Sequence, residues 1–212
     1  MASLIMHLAI SNKLKKIYNF SDEFLVGSIA PDLLKKIYTK DKTHYTKQVQ
    51  LEGEIRRYPD IERFLKENSE RKDEYFLGYL VHLVQDKIWF DEYIPKVIKR
   101  ISENECIYLK NNMKFSEAEA TQRLYMDYSI TGEYVFEKYD KIDLLKLKEY
   151  SKNYFKNNIK INIDEIIDNE KIIYETPENK ELALFNYNLI DDYIKYSMAE
   201  CQKYINNING SK

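Results

Sequence analysis

Apolar positions along the chain recur with helical rather than alternating spacing, and only five Gly and four Pro interrupt its 212 residues. Long helices joined by short loops, an all-α fold, follow from that pattern. Ser3 can cap a first helix running to about Tyr18, and Ser21, with Asp22 and Glu23 after it, can cap a second. Pro31 is expected to stop or tighten that second helix, because proline lacks the amide donor and pushes Ala30 out of helical geometry. From Leu33 to about Tyr58 the residues are mixed, polar and broken by Gly53, which reads as loop with short helical pieces. Pro59 marks the next helix start, with Asp60 and Glu62 in the first turn and Ile61, Phe64 and Leu65 on the buried side. From Lys72 to about Phe90 the sequence is apolar almost all round, so that helix belongs at the centre. Beyond Pro95 the pattern predicts helices over roughly 96–110, 116–138, 143–157 and 185–207, with Ser116 and Glu119 as a capping box and Asn206 to Lys212 fraying. The chain reads as one all-α domain, 1–212, whose residues 1–95 carry the chemistry and whose residues 96–212 supply packing helices.

Composition narrows the class. A chain that is 44% hydrophobic and 14% aromatic can bury a core, so it is not a disordered tail. Lys plus Arg, 33, nearly balance Asp plus Glu, 35, which removes the electrostatic drive of a general nucleic-acid binder. Cys106 and Cys201 stand far apart without a CxxC pair, which excludes a thiolate metal site and fits a reducing, cytoplasmic setting. No apolar run reaches the roughly 20 residues of a transmembrane helix. Met1 to Ile10 is apolar but carries His7 and is followed, not preceded, by Lys13, Lys15 and Lys16, so it reads as the first helix of the mature protein rather than a leader. No pattern assigns an oligomeric state.

The candidate chemistry lies in the first 86 residues, which hold all three histidines: His7, His44 and His82, with Asp32 and Asp86 among them. His82 and Asp86 are four apart on a helix, so both project from one face, as two ligands of one cation require. An Asp inside an otherwise apolar helix bears a heavy desolvation cost unless a cation or hydrogen-bond donors compensate it. Gly78, one turn before His82, costs about 1 kcal/mol of helix stability relative to Ala, which points to close approach by another helix or a substrate. Each residue has a plainer reading. A lone His on an apolar helical face is more often a core residue donating to a carbonyl, Asp32 after Pro31 serves equally as a turn or cap residue, and His44 in a Lys-rich stretch reads as an exposed loop histidine.

Four blocks together carry a resemblance: Met1 to Ile10 with His7; Gly27-Ser28-Ile29-Ala30-Pro31-Asp32; Thr43-His44-Tyr45; and Leu77-Gly78-Tyr79-Leu80-Val81-His82-Leu83-Val84-Gln85-Asp86. In order and spacing they resemble the zinc-dependent phospholipase C family over roughly the first 90 residues. The resemblance implies an all-α fold that holds zinc and hydrolyses phosphodiesters. It implies that Asp32, His44, His82 and Asp86 form one metal site, that His7 ligates a neighbouring metal sharing Asp86, and that Asp32 acts as ligand, as the base that activates water, or as both. Secreted members add His and Glu ligands downstream. This chain has no His after His82, so a further site is either absent or built from carboxylates, with Asp91, Glu92, Asp127 and Glu133 as candidates; Asp127 is the favoured one of these, although a solvent-facing Asp is its more common reading.

The expected cofactor is zinc, one or two ions, although a mixed nitrogen and oxygen ligand set also suits manganese or iron. The expected partner is a phosphoester, either a small molecule or a lipid headgroup. Two alternatives stand beside the hydrolase. HD-type nucleotide phosphohydrolases use the same ligand types, but their signature places Asp directly after His, where this chain has Leu83. A non-catalytic helical module with a structural or lost metal would bind a partner through some of the 19 tyrosines.

Overall fold

The computed structural model describes residues 2–139, 142–170 and 181–210. Its helices are α1 (Leu4–Tyr18), α2 (Asp22–Leu34), α3 (Lys40–His44), α4 (Ile61–Glu67), α5 (Glu74–Ile88), α6 (Glu117–Lys138), α7 (Leu144–Tyr154), α8 (Asp164–Asn169) and α9 (Tyr187–Gly210). The chain is mostly helical, as the apolar spacing implies. Two small antiparallel sheets accompany the helices: a hairpin of β1 (Thr46–Leu51) and β2 (Glu54–Pro59), and a three-stranded meander of β3 (Ile98–Arg100), β4 (Glu105–Tyr108) and β5 (Met113–Ser116).

Helix starts follow their caps. The side chains of Ser3, Ser21, Asp60, Asp73 and Ser116 each accept from a backbone amide in the first turn that follows, and Ser116 with Glu119 closes both halves of a capping box. Pro59 ends β2 instead of opening α4, which begins at Ile61 behind its Asp60 cap. Helix α5 is buried along nearly its whole length and lies between α2, α1 and α9, the central place its composition predicts. It meets α2 at a reciprocal glycine contact. A Cβ on Gly78 would stand 2.0 Å from the Phe24 carbonyl oxygen, and one on Gly27 would stand 2.1 Å from the Tyr75 carbonyl oxygen. Only glycine permits backbones this close, so the two residues fix where the helices cross.

Several expectations give way. Pro31 does not stop α2, which runs through it to Leu34: ten consecutive residues from Phe24 to Leu33 are buried, and that packing outweighs one missing amide donor. The segment read as loop up to Tyr58 contains the β1–β2 hairpin, turned at Gly53 with φ of 65°. There Gly53 is the turn residue that joins two strands. The segment 96–110 is not a helix but the start of the meander, in which Ile98 pairs with Tyr108 and Cys106 with Phe115. Asn112, with φ of 57°, turns β4 into β5. Finally, α9 stays helical to Gly210, so fraying is not seen over 206–210; Ser211 and Lys212 lie outside the described residues.

Candidate metal centre

Five side chains converge from four helices: His7 from α1, Asp32 from α2, His44 from the end of α3, and His82 with Asp86 from α5. All are buried, His7 and His82 completely. His44 is therefore not an exposed loop residue, and Asp32 is neither turn nor cap but lies inside α2. Single ligand atoms of His7, Asp32 and His82 come within 4.8 Å of one another, as do those of His44, His82 and Asp86. The two groups share His82, whose ring stacks on that of His7 at 3.9 Å between centroids.

Each imidazole has one nitrogen occupied and the other free. His82 Nδ1 donates to the Ser28 carbonyl oxygen at 2.8 Å, and a carbonyl only accepts, so Nδ1 carries the proton. His7 Nδ1 lies 3.0 Å from Gln85 Oε1, again an acceptor, while the Gln85 amide nitrogen turns to Ser11. His44 Nδ1 lies 2.8 Å from Thr43 Oγ1, whose own hydroxyl points to the carbonyls of Thr39 and Lys40, leaving its oxygen to accept. With Nδ1 protonated in all three rings, every Nε2 presents a lone pair. All three Nε2 atoms are buried and, among the described residues, have no hydrogen-bond partner.

Those lone pairs face carboxylates. His7 Nε2 stands 3.4 Å from Asp86 Oδ1, and His44 Nε2 stands 3.4 Å from Asp32 Oδ1. His44 Nε2 and His82 Nε2 each lie 3.9 Å from Asp86 Oδ2. Ligands about 2.0–2.1 Å from a tetrahedral zinc lie about 3.4 Å apart, so these separations suit a shared cation, whereas a lone pair pressed on a carboxylate without one is repulsive. The donor set therefore fits zinc. Burial, with the neighbouring His7 adding to it, pushes His82 down to about 3, so the ring is neutral at neutral pH, the state that ligates metal. Burial works to raise both carboxylates, yet hydrogen bonding and neighbouring positive charge, such as that of Lys35 beside Asp32, prevail and hold Asp32 and Asp86 well below the usual range. Lys35 Nζ donates to Asp32 Oδ1 at 2.9 Å, and the Ala2 amide donates to Asp86 Oδ1 at 2.8 Å.

The downstream carboxylates do not join this cluster. Asp127 is buried, not solvent-facing, and its oxygens accept the backbone N–H groups of Ala183, Leu184 and Phe185 at 2.7, 2.8 and 2.8 Å. It anchors the chain entering α9 instead of holding a cation. Asp91 pairs with Arg56 and Lys87. Neither Glu92 nor Glu133 belongs to a group of potential ligands among the described residues.

Residues that position the imidazoles carried weaker sequence signals. Gln85 sits on the apolar helix between His82 and Asp86, where a buried amide needs partners, and Thr43 precedes His44; both were open to notice. The Ser28 contribution is a backbone carbonyl and has no residue signature. A cavity of about 270 Å³ reaches His44 and Asp86 and is walled by both sheets and the start of α6, including Arg56, Tyr58, Arg100 and Glu117. No described helix is long and apolar enough to cross a membrane.

The family model for zinc-dependent phospholipase C matches residues 2–200, well beyond the N-terminal blocks. No curated protein and no solved structure gives a significant match.

Proposed function

The chain belongs to the zinc-dependent phospholipase C family, and from that premise we propose that it is a zinc-dependent phosphoester hydrolase whose centre is formed by His7, Asp32, His44, His82 and Asp86. The observation that carries this reading is the set of three buried Nε2 atoms without hydrogen-bond partners, gathered around two ionised carboxylates. Neutral imidazoles and carboxylates are the ligands zinc takes.

A bound zinc supplies Lewis acidity, polarising a phosphoryl oxygen and lowering the pKa of water to about 7. The chain's residues do the rest. His7, His44 and His82 hold the ion through Nε2, each ring locked by the acceptor on its Nδ1. Asp86 and Asp32 offset its charge. Asp32 is also the base of the reaction: it stays ionised, Lys35 orients it through Oδ1, and it takes the proton from the attacking water. The cavity beside His44 and Asp86 admits the phosphoryl end of a small phosphodiester, a phosphomonoester or a lipid headgroup. Because Cys106 and Cys201 are both free and buried, the cytoplasm is the setting we propose.

The test is elemental analysis of the protein and its His82→Ala variant, both without a His tag, beside hydrolysis of bis(4-nitrophenyl) phosphate. The expected result is about one to two equivalents of zinc and measurable turnover in the parent, both lost in the variant. Full zinc content in His82→Ala, or no uptake of offered zinc by the parent, overturns the reading.

A further inference from the structure

Resting on the hydrolase reading, we infer that Arg100 selects the substrate: its guanidinium, paired on one side only, receives an anionic oxygen group, a carboxylate or a second phosphate, that the substrate carries away from its scissile phosphoryl group. Arg100 and the pair His44 and Asp86 line the same cavity, the first from β3 and the others from the helices. Its guanidinium is engaged on one side only, where Nη2 donates to Glu117 Oε1 at 2.5 Å. Nη1 is buried and, among the described residues, has no hydrogen-bond partner. The Arg100 side chain is nevertheless about a quarter exposed on the cavity wall, so a small turn of the guanidinium brings its unmet donor to an acceptor that enters the cavity.

The neighbouring walls supply no such acceptor and favour an anion. Phe90, Ile94, Pro95 and Ile98 are apolar. Of the carboxylates lining the cavity, Glu54 is held by Arg56, Glu117 by Arg100, and Asp86 belongs to the histidine cluster, so none is left to attract a cation. Lys40, over the ring of Phe90 at 5.9 Å, adds to the positive charge that Arg56, Arg57 and Arg100 bring to the same lining. The arrangement accepts a molecule with phosphoryl at one place and an oxygen anion at another, separated by an apolar stretch, and its lining leaves, among the described residues, no unpaired carboxylate for a cationic leaving group.

The test measures binding, so it does not depend on turnover. Zinc-loaded protein is titrated calorimetrically with alkylphosphonates of three to six carbons and with the corresponding ω-phosphonocarboxylates and α,ω-bisphosphonates. Against the parent, at least one anionic tail is expected to bind roughly tenfold or more tighter than the plain chain of equal length, the range of a hydrogen bond to a charged group. Which of the two tails gains more identifies the acceptor as carboxylate or phosphate. Arg100→Met is expected to abolish the gain while leaving the plain alkylphosphonates unchanged, which also verifies that the variant is folded, and Arg100→Lys to restore part of it. No gain at any length, or a gain that survives Arg100→Met, overturns the assignment while the hydrolase reading stands. Failure of every phosphonate to bind the parent overturns both.

Discussion

Replacing Gly78 by Ala sets two effects of opposite sign against each other. Helix propensity favours Ala by about 1 kcal/mol inside a helix. Against this, the new methyl would lie 2.0 Å from the Phe24 carbonyl oxygen and 2.9 Å from the Ser28 backbone nitrogen. Carbon and carbonyl oxygen approach no closer than about 3.3 Å, so α5 and α2 must part by about 1.3 Å. The obstacle is backbone, so no rotamer change relieves it, and the cost belongs at or above the upper end of the roughly 1–3 kcal/mol of overpacking. A net loss of about 2 kcal/mol or more follows, which for a chain of this size lowers Tm by about 4–8 °C. The same movement carries His82 Nδ1 away from the Ser28 carbonyl oxygen, now 2.8 Å distant, past hydrogen-bond range. Zinc affinity is therefore expected to fall about 10–100-fold, the usual effect of losing such an outer contact. Thermal unfolding followed by circular dichroism in chelator gives the first quantity, and competition with a chromophoric chelator gives the second. A Gly78→Ala protein as stable as the parent with unchanged zinc affinity would refute the reasoning, because propensity would then have outweighed the close approach.

Three further outcomes are expected. Gln85→Leu removes the acceptor of His7 Nδ1 and the partner of Ser11; zinc affinity should drop about 10–100-fold, and equal affinity in a chelator competition would show that His7 needs no such orientation. Asp127→Asn replaces one of the oxygens receiving Ala183, Leu184 and Phe185, which should cost about 1–3 kcal/mol and lower Tm while zinc content stays at the parental level; loss of zinc would return Asp127 to the ligands. For the metal-free protein, His82 lies near 3 when folded against 6.5 for an unperturbed ring, so the unfolded chain binds the extra proton and stability declines as pH falls from about 6.5 towards 3. Denaturant midpoints between pH 7 and 5, where the carboxylates remain ionised, should show this decline in the parent and a weaker one in His82→Gln.

The helices, and the gathering of the His and Asp side chains of the candidate centre, were legible because their signals are local. Ser3, Ser21 and the pair Ser116 and Glu119 cap where their types suggest, and the apolar run of α5 is central because it has no face to leave in water. The four-residue spacing of His82 and Asp86 survives folding unchanged. The sheets were hidden for a physical reason: β1 and β2 are largely half-exposed, so Thr46–Leu51 and Glu54–Pro59 lack the apolar alternation of a core strand, and only Gly53 between them marks a turn. Val97, Ile98, Cys106, Ile107 and Tyr108 did favour strands by type, with Ser102 to Asn104 and Asn111-Asn112 as turns, but the regular helices on either side obscured them. His44 looked exposed because its burial comes from distant chain: Tyr79 donates to the Thr43 carbonyl oxygen at 2.6 Å. The proximity of Arg100 to the histidine cavity depends on the same hidden strands.

The ligand cluster and the outer wall of the cavity are made of different material. Every imidazole and carboxylate of the cluster is set by helix packing, while much of the wall is hairpin and meander, joined by short turns at Gly53 and Asn112. Substitutions in those strands reshape what the cavity admits without shifting any helix crossing. Divergence between relatives, or a laboratory library confined to 46–59 and 98–116, can therefore vary what the cavity admits while the histidine cluster stays constant, whereas the helical half tolerates little drift before that cluster is disturbed.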